Sequence, residues 1–210
     1  MYTLNKESAA KGSKTGGEYI TEAGIYVGTI RQLEIVKFDS GAEKVIINFR
    51  ADSGQEARYL DLFTVKKDGE QSFGYNVLMS IMWLCQVKTL TPVQTKDHKG
   101  NAITTAKEIE GKKIALAIQM EEYLDKEGVL KTKPAIYCAF SATDKKSASE
   151  QQEGKPAEKI NLTASYLAAN GLRKYKPKRG APKPKRESSD DVLDGLPQSF
   201  DTQFDDDIPF

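Results

Sequence analysis

Lysine, arginine and aromatic side chains recur among apolar residues between positions 37 and 67, and again between positions 123 and 137. Cations pair with phosphates and aromatic faces stack on bases, so this combination is typical of a surface that holds a single nucleic-acid strand. Stacking contributes about 1–3 kcal/mol per base. The candidate residues are Lys37, Phe38, Lys44, Arg50, Arg58, Tyr59, Lys66 and Lys67, followed by Tyr123, Lys126, Lys131, Lys133 and Tyr137.

Each aromatic residue has an alternative role in the core, and each lysine has one on an ordinary solvated surface. The apolar stripes favour the core for Phe49 and Phe63 and leave both roles open for Tyr59 and Tyr123. Trp83 falls within a helical apolar pattern, which favours packing on a sheet over base stacking. The hypothesis therefore rests on the set of residues more than on any one of them.

Enzyme signatures are missing from the sequence. His98 is the one histidine, so a histidine cluster cannot hold a metal. Gly111-Lys112 lacks the other residues of a phosphate-binding loop, and there is no Gly-x-Ser-x-Gly. We therefore expect a protein that has no enzymatic activity and binds no metal and no cofactor. A carboxylate-metal nuclease is the alternative, but no constellation of residues can be assigned to it.

The last six residues combine three carboxylates with an apolar tip. Pro209 fixes its own φ and biases the residue before it toward an extended conformation, so the tip cannot continue a helix. A partner with a small apolar pocket rimmed by Arg or Lys would bind such an end and capture the terminal carboxylate. The plainer alternative is a frayed acidic terminus. The residues are Asp205, Asp206, Asp207, Ile208, Pro209 and Phe210.

This ending resembles the tail of bacterial single-stranded DNA-binding proteins, in which a tip ending in Asp-Asp-Ile-Pro-Phe recruits replication and repair enzymes. The resemblance implies a folded single-stranded DNA-binding domain followed by a disordered linker and the tip. The chain departs from that family in its opening strand, and its linker is basic and proline-rich instead of glycine-rich. A divergent phage, prophage or plasmid member fits this departure. The departure also puts the family's homotetramer in doubt and leaves open whether the chain forms a homo-oligomer.

The hydrophobic pattern predicts a mainly β domain. Strands are expected at 25–36, 44–50, 58–65, 114–123 and 135–140, and a helix at 73–86 lies between the third and fourth strands. Residues 89–110 are expected to form a long loop or a short hairpin. This order matches a five-stranded OB-fold-like barrel followed by a disordered C-terminal tail. An open α+β sheet gives a similar pattern, since periodicity does not show whether a sheet closes.

Composition divides the chain into four parts. We expect residues 1–17 to form a flexible arm and residues 18–141 to form the binding domain. Residues 142–186 are expected to be a linker that contains a short helix at 163–170 and a basic arm, and residues 187–210 to be the acidic tail. Eight basic residues lie in 173–186 and eight acidic ones in 187–210, so the net charge of +1 conceals two opposite blocks.

No signal peptide or membrane span is visible, and Cys85 and Cys138 lie among apolar residues as small core residues. We therefore expect a cytoplasmic, nucleoid-associated protein of a bacterial cell with no membrane partner. The leading hypothesis is a protein that coats single-stranded DNA and recruits enzymes through its tip. The main rival is an adaptor or decoy that uses the same tip without binding DNA. A strand-annealing protein, which would need a larger assembly, is a third interpretation.

Overall fold

The computed structural model describes residues 18–97 and 99–176, and this part of the chain is mainly β. Three strands come first and are followed by a helix, a short hairpin, two long strands and a pair of helices. The elements are β1 (Gly24–Lys37), β2 (Glu43–Ala51), β3 (Glu56–Val65), α1 (Phe73–Leu84), β4 (Val93–Lys96), β5 (Ala102–Thr105), β6 (Lys113–Leu124), β7 (Leu130–Phe140), α2 (Ala148–Gln152), α3 (Lys159–Asn170) and β8 (Leu172–Arg173).

Alternation of apolar and polar residues sets the two faces of the first three strands. In β2, Val45, Ile47 and Phe49 are buried, and the residues between them point outward. β3 places Leu60, Leu62 and Thr64 on the same inner face. Antiparallel pairing of β1 with β2, and of β2 with β3, joins these inner faces into the main core. Of the predicted cations and aromatic residues, the outer face of the three strands carries Lys44, Arg50 and Tyr59.

The strands form one sheet that does not close into a barrel. β1 pairs with β2 on one side and with β6 on the other, and β6 pairs with β7. In the described residues no strand ladder joins β3 to β7, although Lys133 of β7 donates a hydrogen bond to Asp61 of β3 at 2.8 Å. Pro134 in β7 has no N–H to donate, as expected of a strand edge. The predicted closed barrel is therefore corrected to an open sheet.

Gly28 lies where β1 is paired on both sides, opposite Ala51 of β2 and Ile114 of β6. A Cβ at this position would lie 2.2 Å from the carbonyl oxygen of Arg50 and 2.6 Å from the Cα of Ala51. Only glycine allows the two strands to approach this closely. A register shift between Ile30 and Gln32 then bends β1 along the sheet.

α1 packs the apolar face predicted from its spacing. Val77, Leu78, Ile81 and Met82 are buried, and Cys85 immediately after the helix is buried as well. Phe73, the first residue of the helix, is exposed. The predicted excursion at 89–110 contains the hairpin β4–β5, which touches β1 through the pairing of Glu34 with Thr105.

Ordered structure continues past residue 141, the predicted end of the folded part. α3 starts at Lys159, four residues before the predicted short helix, and Gly171 follows its last residue. Leu167 is 3 % exposed and packs in a second apolar cluster with Ala115, Ala117 and Phe140. α3 therefore docks on the sheet, which stabilises a helix too short to be stable alone.

None of the helices in the described ranges combines the length and the apolar character that crossing a membrane requires. The predicted N-terminal arm at 1–17, residues 177–186 of the basic arm, the acidic tail and His98 lie outside the described residues.

Candidate nucleic-acid interface

Two phenylalanines and a lysine form a cluster at one end of the outer face. Phe38 follows β1, and Phe63 lies on β3 next to the first residues of β2. Their rings stack at 6.2 Å between centroids with an interplanar angle of 16°. The ammonium of Lys44 lies 5.9 Å from both ring centroids, within cation–π range. Phe63 is 53 % exposed, so the pair offers an open aromatic surface beside a positive charge.

Tyr59 marks the opposite end of the same face and is the most exposed of these aromatic residues, at 64 %. Its φ of 58° lies in the left-handed region, which tyrosine rarely adopts. The register of β2 and β3 shifts here, so Arg58 and Tyr59 together oppose Asn48 in a bulge. The Tyr59 N–H donates to the Asn48 side-chain oxygen at 3.0 Å. The bulge turns a large aromatic side chain toward solvent.

Arg58 lies between Tyr59 and a second tyrosine. Its guanidinium carbon is 5.5 Å from the ring centroid of Tyr19, and two of its nitrogens donate to the Glu56 carboxylate at 2.9 and 2.6 Å. Tyr19 itself is exposed and precedes β1. The outer face of β1–β3, called the open face below, thus has an aromatic and cationic group at each end. Along β3 the two ends are four residues apart, or about 13 Å.

Asp61 lies between these ends and binds two of the predicted lysines. Its carboxylate accepts hydrogen bonds from Lys44 at 3.1 Å and from Lys133 at 2.8 Å. Partial burial raises the pKa of Asp61, but the hydrogen bonds from the two ammonium groups outweigh that effect, so the pKa lies below its usual value. The carboxylate is therefore charged at neutral pH and offsets part of the positive charge of this face.

The remaining predicted cations divide by their ion pairs. Lys37 pairs with Glu43, Lys66 with Glu70, and Lys131 with Asp125, at 2.7, 2.8 and 2.6 Å. Each of these lysines can exchange its carboxylate for a phosphate, at the cost of the existing pair. Three predicted cations have no ion pair in residues 18–97 and 99–176: Arg50, Lys67 and Lys126.

The predicted tyrosines beyond β3 are placed differently. Tyr123 lies opposite Lys131 on the hairpin of β6 and β7, near the loop that carries Lys126. Tyr137 stacks instead on Tyr166 of α3, with ring centroids 5.2 Å apart, and so contacts the C-terminal helix. Trp83 is half-exposed on α1 and donates its indole N–H to Gln151 of α2 at 3.2 Å. Neither Tyr137 nor Trp83 contacts the aromatic groups of the open face.

Sequence reasoning missed two members of this face. Phe63 was assigned to the core, although alternation along β3 places it with Asp61 and Tyr59 on the outside. Tyr19 precedes the first predicted strand, and the sequence carried no signal that it would meet Arg58. Phe49 was correctly placed in the core, since it is 1 % exposed. The tip residues 205–210 lie outside the described residues.

No protein-family model matches the chain, and no curated protein matches it either.

Proposed function

We propose that this chain is a non-enzymatic protein that binds single-stranded DNA along the outer face of β1–β3. The observation that carries the proposal is Tyr59, an exposed aromatic residue held at a φ of 58°. Strained backbone in a non-glycine residue concentrates at functional sites. Here the strained backbone turns the Tyr59 ring toward solvent, next to Arg58, as a surface on which a base can stack. The face has aromatic groups at both ends, and a single DNA strand binds to such aromatic groups by stacking.

The order of the long strands supports an OB-fold-like architecture. In space the strands run β3, β2, β1, β6 and β7, and α1 follows β3. This is the strand order of an OB-fold whose last seam, between β3 and β7, lacks a ladder. The proposed binding face then includes the strands and loops on which OB-folds bind oligonucleotides, with the β6–β7 hairpin on one side.

The C-terminal tip adds the proposed partners. Residues 205–210 resemble the recruiting tip of bacterial single-stranded DNA-binding proteins, so we assign to them the binding of replication and repair enzymes that recognise such tails. In this proposal the folded part coats exposed strands in the bacterial cytoplasm, at the nucleoid, and the tip brings enzymes to them.

The test is a salt-dependent titration of labelled oligothymidylate with the full chain and a triple variant, Arg50→Gln, Lys67→Gln and Lys126→Gln. These three cations lack ion pairs in the part of the chain that the structure describes, so their removal disrupts no pair seen there. Each phosphate contact contributes about 0.7 to the slope of log affinity against log salt for a single strand. We expect weaker binding and a slope that is shallower by up to about 2.

A matched triple variant, Lys88→Gln, Lys107→Gln and Lys112→Gln, removes the same charge from exposed lysines outside this face. It should retain the original slope. Equal slopes in all three proteins would move the strand to another surface. If the unaltered chain fails to bind oligonucleotide at low salt, the adaptor or decoy interpretation replaces this one.

A further inference from the structure

A polar pocket adjoins Tyr59 on the open face. It has a volume of ≈ 390 Å³, which is above the lower size limit of about 300 Å³ for small-molecule sites. One wall is the outer face of the first three strands, and the hairpin β4–β5 supplies the other through Ile103 and Asp97. The strand residues that line it are Gln32 and Glu34 of β1, Asn48 of β2, and Arg58 and Tyr59 of β3.

Hydrogen bonds fix the orientation of the two amide side chains in this pocket. The backbone N–H of Tyr59 needs an acceptor, so Asn48 must turn its oxygen toward it, at 3.0 Å. The Asn48 amino group then faces Gln32 and donates to its oxygen at 3.2 Å. Gln32 is left with its own amino group, whose donors have no acceptor in the part of the chain described. The backbone N–H of Tyr59 thus determines, through Asn48, that Gln32 presents a hydrogen-bond donor to the pocket.

Glu34 supplies an acceptor on the same face of β1. It lies two residues from Gln32, so their side chains leave the strand on one side, about 7 Å apart at the backbone. Glu34 is half-buried, and in residues 18–97 and 99–176 its side chain makes no hydrogen bond or ion pair. The nearby guanidinium of Arg58 is engaged by Glu56. The pocket therefore combines a neutral donor, the Glu34 carboxylate and an aromatic ring. The carboxylate of Asp97 also lines it and already accepts hydrogen bonds from Lys99 and Asn101.

This combination complements the edge of a nucleobase. Guanine offers an oxygen for the Gln32 amino group and two adjacent N–H donors, on N1 and N2, for the Glu34 carboxylate. Thymine offers a single N–H, and cytosine and adenine each offer one amino group with no ring N–H beside it. Hydrogen bonds to a carboxylate are the stronger kind, and guanine alone makes two side by side.

We propose that this pocket reads one base of the bound strand and prefers guanine, with Tyr59 stacking on it and Gln32 and Glu34 bonding to its edge. The inference rests on the proposed function, because it needs a strand on this face. It goes beyond that function by giving a sequence-tolerant binder one position with a base preference. A bidentate contact of this kind distinguishes bases by about tenfold in affinity.

The test uses the full chain and oligothymidylates of about twelve nucleotides, a length within the span of one OB-fold site. Each oligonucleotide carries one central guanine, inosine, cytosine or adenine. Inosine keeps the oxygen and the N1–H of guanine but lacks the N2 amino group. We expect the guanine oligonucleotide to bind about tenfold more tightly than plain oligothymidylate, with inosine between them. This comparison needs no variant, so it stands even if a substitution disturbs folding.

Glu34→Gln should remove the preference, because one neutral amide oxygen replaces the charged carboxylate that accepts both guanine N–H groups. Glu127→Gln, an exposed carboxylate in the β6–β7 loop, is the matched control and should keep the preference. Equal affinities for guanine and thymine strands in the unaltered chain would overturn the pocket and leave the proposed function standing. A preference that survives Glu34→Gln would also overturn it. Failure to bind any of the strands would overturn both proposals.

Discussion

Tyr59 combines a stability cost with an exposed ring, so its two effects can be separated by substitution. A left-handed conformation costs an L-residue about 1–2 kcal/mol, and glycine does not incur this cost. We expect Tyr59→Gly to leave the free energy of unfolding unchanged or raise it by about 1 kcal/mol. The same variant should bind oligothymidylate about tenfold more weakly, since it loses a stacking partner. Urea unfolding and strand titration measure the two effects.

Tyr59→Phe is the control for this prediction, because it keeps both the ring and the strain and should bind like the unaltered chain. A glycine variant that binds as tightly as the tyrosine would show that the exposed ring does not contact the strand.

Glu150 is the second residue whose environment allows a sharp prediction. It is 4 % exposed, and its carboxylate accepts hydrogen bonds from Ser147 before α2 and from the N–H groups of Glu158 and Lys159 at the start of α3. Burial alone would raise the pKa of Glu150, but these hydrogen bonds outweigh it and lower the pKa to about 2 from a usual 4.5. One carboxylate therefore joins the two C-terminal helices.

A depressed pKa stabilises the folded chain fully above about pH 4.5, and this stabilisation is lost as the pH falls toward 2. Glu150→Gln should lower the free energy of unfolding by about 1–3 kcal/mol at pH 7, and the difference from the unaltered chain should shrink between pH 5 and pH 3. Exposed Glu153, changed to Gln, is the control and should cost less than about 1 kcal/mol. A pH-independent difference would mean that the charge of Glu150 does not matter.

Residue roles were predictable from the sequence where alternation alone decides them. Val45, Ile47 and Phe49 were placed correctly because β2 has no bulge inside that stripe. Tyr59 could be predicted as a candidate, but not its conformation, because the bulge depends on how β3 registers against Asn48. Glu150 gave no signal, since its partners at 158 and 159 meet it only after the chain has turned back.

The seam between β3 and β7 is held by side chains where a strand ladder would otherwise run. Asp61 forms ion pairs with Lys44 and Lys133 there. Both ammonium groups are therefore less available to the phosphates of a bound DNA strand. We expect Asp61→Asn to lower the free energy of unfolding by about 1–2 kcal/mol. Binding of oligothymidylate should tighten, with a salt slope steeper by up to about 1.4, because two cations become available to phosphates.

Glu153→Gln again serves as the control, because it frees Lys155 at α2 without touching the seam. It should leave the salt slope unchanged. A less stable Asp61→Asn variant that still binds oligothymidylate with an unaltered salt slope would contradict this prediction. That result would show that the two lysines do not contact the DNA strand and that the proposed path of the DNA across β3 is wrong.

At the scale of elements, periodicity predicted the five long strands and α1, but closure could not be predicted. Whether β3 and β7 share hydrogen bonds depends on the relative twist of the strands and on Pro134, which are properties of the assembled sheet. The C-terminal helices were underestimated for a related reason. α3 has too few apolar residues to look stable alone, and it gains its stability from the pocket that Ala115 and Ala117 leave for Leu167.

For the molecule as a whole, the sequence sets an acidic stretch at 187–210 on the same chain as a basic arm and a partly cationic face. We expect the covalent connection to give the tail an effective concentration of about a millimolar near those surfaces. Removal of residues 187–210 should therefore tighten oligonucleotide binding at low salt, and the gain should vanish as salt screens the charges. Titrations at low and high salt measure it, and equal affinities at low salt would leave the tail as a tether for partners only.

Trp83 has a practical consequence, since it is the one tryptophan in the chain. Its indole is 51 % exposed on α1, donates to Gln151 of α2, and borders a groove with Met79, Val87 and Ala148. Release of the C-terminal helices would break this hydrogen bond, expose the rest of the ring to water and move its fluorescence to longer wavelength. The aromatic groups of the open face are tyrosines and phenylalanines, so DNA binding there leaves this emission largely alone. The chain thus carries an intrinsic optical reporter of whether its C-terminal helices are seated.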